Sequence, residues 1–134
     1  MRNRRAAFII AFVAAEVGVK QFGSNQSASL SEAWLLENLQ SPPLDRLLRE
    51  YLVPLTGKKT RSGHAVPPAL ATLFEKSMKT RNRLMHRGEE PPSEEAVVKL
   101  LAGVNDLLYL LDWFAGHDWA FGCLSDDTRA AYEG

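Results

Sequence analysis

From Val97 to Ala115 apolar residues recur at i, i+3, i+4 and i+7 without a break: Val97, Leu100, Leu101, Val104, Leu107, Leu108, Leu111, Phe114 and Ala115. Only an α-helix turns that spacing into one face, and a helix with such a face needs others to cover it. The same period recurs in nearly every other segment, and no stretch alternates with the period of two that marks a strand. The expected fold is all-α, a bundle of about five helices with a short polar helix at the C-terminus. A chain of 134 residues, 46% of them hydrophobic, suffices for one domain with a core and is short for two, so residues 1–134 are expected to form a single unit.

Punctuation residues divide the bundle. The first helix is expected over Asn3 to Phe22, ending near Gly23, with apolar residues almost all round it, as for a central or interface helix. Ser29 with Glu32 forms a capping-box start for a second helix through Leu39, with Trp34, Leu35 and Leu39 inward. After Ser41, Pro42 and Pro43, a third runs from Leu44 to Val53. Pro54 to Pro68, rich in proline, glycine and bases, reads as an exposed, mobile loop. The fourth helix spans Pro68 to Arg87 with an apolar stripe of Leu70, Leu73, Phe74, Met78, Leu84 and Met85, and stops at Gly88. Glu89, Glu90, Pro91 and Pro92 make the turn, and Ser93 caps the fifth helix, whose first-turn Glu94 and Glu95 complement its dipole.

The net charge is zero but unevenly placed. Gly57 to Arg87 carries eight bases against Glu75, or +7. Gly88 to the end carries ten acids against Lys99 and Arg129, or −8, and the preceding residues contribute +1. Such a basic segment suits phosphates; its ordinary structural role would be to pair with the acidic C-terminal third. The single cysteine, Cys123, excludes an internal disulfide, and no Cys/His spacing resembles a zinc site. A reducing cytoplasm fits best, with no metal or cofactor expected. Arg2, Arg4 and Arg5 followed by Ala6 to Ala15 resemble the opening of a signal peptide. The apolar run is only about ten residues, where a membrane span needs roughly twenty, and the segment continues through Glu16, Val17, Val19, Lys20 and Phe22 as a core helix. Gly57-Lys58-Lys59-Thr60 is not a phosphate loop, because Lys59 stands where Ser or Thr is required and Leu52 where the first glycine belongs.

One residue breaks the periodicity of the fourth helix. Arg81 lies seven residues after Phe74 and three after Met78, on the apolar stripe. A guanidinium there needs an acid such as Glu16, Asp106 or Asp112, a surface for its stem to cover, or an interface that anions reach. Asn82 and His86, four apart, share a face, so the amide is placed to orient the imidazole. Arg81 and His86 are five apart, about 140° around a regular helix, and meet only if the last turn opens or a second chain supplies the partner. A lone histidine in this position ordinarily compensates the helix dipole. His64 and His117 have no recognisable partners, and Trp34, Trp113 and Trp119 read as core or rim residues.

Arg81-Asn82-Arg83-Leu84-Met85-His86, followed by Arg87-Gly88, resembles the R-x4-6-H motif of HEPN domains, which often carry Asn directly after the Arg. The motif's late position, the long helix after it and the hydrophobic N-terminal helix resemble that family too, over residues 3 to 118. The resemblance implies a metal-independent endoribonuclease, with Arg81 and His86 as the catalytic pair and Asn82 in support. RNA brings its own nucleophile, the 2′-hydroxyl; an imidazole exchanges protons near neutrality and a guanidinium grips phosphate bidentately. It also implies a homodimer in which two motifs share one cleft across a two-fold axis, and a toxin or defence role with an antitoxin or regulatory partner. Arg83, Arg87, Lys76, Lys79, Lys58, Lys59 and Arg61 would then line the approach of the RNA backbone. The alternatives are a HEPN-like domain that binds RNA, a nucleotide or a protein without cleaving, and a plain helical module in which Arg81 is salt-bridged.

Overall fold

A computed structural model describes residues 3–26, 48–49, 58–87 and 90–133, with the side chains of 23–26, 86 and 87 outside that description. The elements are α1 (Arg4–Gln26), α2 (Pro68–Arg87), α3 (Glu94–Phe114), a 3₁₀ turn (Asp118–Cys123) and α4 (Asp126–Tyr132). Among the described residues there is no strand, and the fold is an all-α bundle.

Ser93 starts α3 as its sequence predicts, accepting a hydrogen bond from the Ala96 amide at 3.1 Å, with Glu94 and Glu95 in the first turn. α1 outruns its expected end: Gly23 continues the helix to Gln26, since an interior glycine weakens a helix by about 1 kcal/mol without breaking it. The expected second helix, with Trp34, Leu35 and Leu39, lies outside the described residues. Of the third, Leu48 and Arg49 are described. They sit in a helical turn, Leu48 fully buried and Arg49 bonded to Thr72 and Glu75 of α2.

α1 and α3 run parallel and form the most extensive contact. Asn3, Arg4 and Arg5 share a cavity with Pro91 before α3, Gly18 packs on Leu108 and Leu111, and the rings of Phe22 and Phe114 meet at 6.0 Å. Two glycines set the spacing. A Cβ on Gly18 would come within 2.9 Å of Leu108, and one on Gly103 within 2.4 Å of Leu73 of α2. Phe8, Phe12, Phe74, Leu100, Leu107 and Leu110 fill the core between the three helices.

The buried face of α3 is rotated from the expected one. Leu110, Gly103 and Asp106 are buried, while Leu101, Leu108 and Ala115 are exposed. The helix is apolar over more than half its circumference, so periodicity alone leaves its orientation open. Met85, expected on the stripe of α2, is also exposed.

The segment 58–67 is only in part the exposed loop its composition suggests: residues 59 and 61–64 are exposed, but the rest is packed in. Thr60, Ala65 and Val66 are buried, and the segment, which makes a turn at 61–63, is fastened to the C-terminal region. The Lys58 ammonium donates to the Trp113 carbonyl at 2.7 Å, the Arg61 amide and guanidinium donate to the Ala131 and Ala130 carbonyls, and the Tyr132 hydroxyl donates to the Ala65 carbonyl. The carbonyls of Trp113, Ala130 and Ala131 lie in the last turns of α3 and α4, where the helix's own amides run out and other donors are needed; the Trp113 carbonyl also accepts from the Gly116 amide.

Candidate functional site

Arg81 enters the contact between α2 and α1. Its Nη1 donates to Glu16 Oε1 at 3.2 Å, its Nε donates to Asn82 Oδ1 at 3.1 Å, and its guanidinium carbon lies 4.9 Å from the centre of the Phe12 ring. Glu16 and Phe12 are four apart on α1, so one helical face offers both a carboxylate and an aromatic surface. The side chains of Arg81 and Glu16 are 21% and 24% exposed. The guanidinium is thus held at the edge of the core, with N–H donors beyond those two contacts for an incoming anion.

Of the acids the sequence offered as partners for Arg81, Glu16 is the one that meets it. Asp106 is committed elsewhere: its two oxygens accept from the Ser125 amide and hydroxyl and from the Thr128 hydroxyl, at 2.6–2.9 Å. Asp112 is exposed on α3. Phe12 was not anticipated as part of this site, although its i, i+4 relation to Glu16 was there to be read.

Asn82 is exposed, and its carbonyl oxygen turns to Arg81. His86 falls in the last turn of α2; its side chain, and with it the expected contact with Asn82, lies outside the described residues, as does the side chain of Arg87. Lys76, Lys79 and Arg83 are exposed along α2, and Arg83 donates to Thr80 Oγ1 at 3.3 Å. Lys59 is exposed as well. Lys58 and Arg61 are not gathered with this group. They cap helix carbonyls, and Lys58 also lies 4.3 Å from the Trp113 ring centre. The described hydrogen bonds of the basic segment with the acidic third run through main-chain carbonyls.

His64, which has no evident partner in the sequence, receives one: its Nδ1 is 3.0 Å from Ser62 Oγ in an exposed turn. Trp113 packs against Phe121 and Tyr132 in the interior, whereas Trp119 is 60% exposed at the rim. Among the described residues no group of His, Cys, Asp and Glu is arranged to hold a metal ion, and no helix is long and apolar enough to cross a membrane. Comparison with protein families, with curated proteins and with solved structures finds no match to this chain.

Proposed function

We propose that the chain is a HEPN-type, metal-independent endoribonuclease that works as a homodimer, with Arg81, Asn82 and His86 of each copy facing one shared cleft, in a toxin or defence role. The observation that carries this reading is the setting of Arg81. An arginine kept only for packing would be shielded; this one is braced from below by Phe12, from one side by Glu16 and from the other by Asn82, and keeps a solvent-accessible edge. Bracing removes side-chain freedom before the phosphate arrives, which is how a positioned cation stabilises a developing charge.

In the reaction, the 2′-oxygen of a ribose loses its proton to one imidazole and attacks the adjacent phosphorus. The 5′-oxygen leaves with a proton from the other imidazole, and the products are a 2′,3′-cyclic phosphate and a free 5′-hydroxyl. One His86 per chain supplies one of the two proton-transfer groups, so the dimer supplies both. Arg81 balances the extra charge on the phosphorane.

A second reading, a HEPN-like domain that binds RNA, a nucleotide or a protein without cleaving, draws support from the same ion pair, because Glu16 competes with phosphate for the guanidinium. Incubating purified protein with RNA in EDTA separates the two. The nuclease reading expects cleavage that falls by at least about a hundredfold in His86→Ala, falls in Arg81→Ala, and is partly kept in Arg81→Lys. Salt-sensitive binding without products, or cleavage indifferent to these substitutions, would sink it.

A further inference from the structure

We infer that a groove at the C-terminal end of the α1–α3 pair, apart from the Arg81 site, docks a partner-protein segment that carries an aliphatic residue beside a lysine or arginine. The groove has a volume of about 430 Å³. Its floor is apolar, built from Gly18, Phe22, Leu108 and Leu111, and it follows the close approach of the two helices at Gly18. Leu108 is 40% exposed at its open side.

The rim has a definite sign. Asp112 lines the groove, Asp118 follows in the 3₁₀ turn, and both are exposed. Among the described residues neither is in an ion pair. The last turn of α3 contains no basic side chain of its own, but the Lys58 ammonium sits on its Trp113 carbonyl, so the acidic character of the rim rests on the two carboxylates. An aromatic wall completes the site: His117 lines the groove, its ring lies 6.2 Å from that of Trp119, and Trp119 stands edge-on to Tyr109 at 6.3 Å.

An apolar floor accepts an aliphatic side chain or stem, while exposed carboxylates and an indole face accept a cation. Phosphate-bearing ligands are repelled by the same carboxylates. Exposed Asp112 and Asp118 would draw a basic segment toward this end of the molecule. The groove meets solvent at Leu108 and Asp112, which leaves room for a side chain carried on a longer peptide.

The test is fluorescence anisotropy of a labelled leucine–lysine peptide with the intact chain. Leucine–glutamate and serine–lysine peptides of equal length and octylammonium serve as competitors. Saturable binding of the leucine–lysine peptide is expected, weakened about fivefold by Asp112→Asn and about tenfold by Trp119→Ala, and unchanged by Glu95→Gln at the far end of α3. Competition by serine–lysine peptide or octylammonium should be weak, and by leucine–glutamate absent. Equal competition by serine–lysine peptide reduces the effect to bulk charge, and equal competition by octylammonium assigns the groove to small amines. A self-association that Trp119→Ala dissolves assigns it to a second copy. Each of these, or affinity unchanged in both groove variants, overturns the proposal. Arg81→Ala leaves this binding intact, so its outcome is independent of the nuclease reading.

Discussion

A carboxylate inside a small helical protein persists only if donors meet its oxygens, and Asp106 has three of them, two from Ser125 and one from Thr128. Ser125 is also the N-cap of α4, accepting from the Thr128 amide, so one carboxylate on α3 organises the start of the next helix. Replacing Asp106 with alanine strands these donors and is expected to cost about 2–4 kcal/mol, read as a lower urea midpoint at an unchanged slope. Ser125→Ala removes fewer contacts and should cost less. At this scale the sequence was half legible. Periodicity put Arg81 on a core-facing position and gave Glu16, Asp106 and Asp112 as equal partners. Choosing among them needs the way α2 crosses α1, which is a property of the packed helices and not of either one.

Elements show the same limit. Each described helix expected from the 3.6-residue period is present, yet the face that α3 buries and the fate of segment 58–67 both escaped, because non-local partners decide them. Lysine and arginine in a Pro/Gly-rich stretch read as solvated, until helix ends elsewhere present carbonyls that need donors. The resulting clasp between that segment and α4 is testable through Tyr132. Burial raises its pKa well above the ordinary phenol value of about 10, and the fold therefore favours the protonated form. That stabilisation is fully present below about pH 10 and is lost as pH rises from there through the raised folded value. Tyr132→Phe should cost about 1 kcal/mol near neutrality by removing the bond to Ala65. It should also flatten the alkaline loss of stability, measured by denaturation at about pH 8 and about pH 11; an equally steep loss in the variant would place the titrating group elsewhere. Gly103→Ala tests a second element-scale feature. The gain of about 1 kcal/mol in helix propensity is opposed by the 2.4 Å approach to Leu73, and a net destabilisation that shrinks in the Leu73→Ala background is expected.

For the whole molecule, the amphipathicity of α1 is the unresolved account. Phe8, Ala11, Phe12, Ala15, Val19 and Phe22 face the core, yet Ile10, Val13 and Val17 on the opposite side are 67%, 41% and 48% exposed. Single exposed hydrophobes need no explanation, but three at i, i+3 and i+7 form a stripe, and such stripes mark contact surfaces. Val13 lies one turn from Glu16, so the stripe runs beside the ion pair that braces Arg81. A two-fold axis across it would bring two Arg81 sites toward each other and cover the stripe in one step, as the nuclease proposal requires. A stable interface buries about 800 Å² per partner, more than three side chains supply, so the contact must extend over neighbouring surface. Exposed Met85, in the turn after Arg81, offers more of it. Sedimentation velocity should therefore find a dimer. Ile10→Lys and Val13→Lys, at positions that contribute little to the core, should yield folded monomers by circular dichroism and sedimentation, and those monomers should cleave RNA at least about a hundredfold more slowly. A wild-type monomer that cleaves RNA, or a lysine variant that stays dimeric, would detach the stripe from the proposed Arg81 site and leave α1's outer face to another partner.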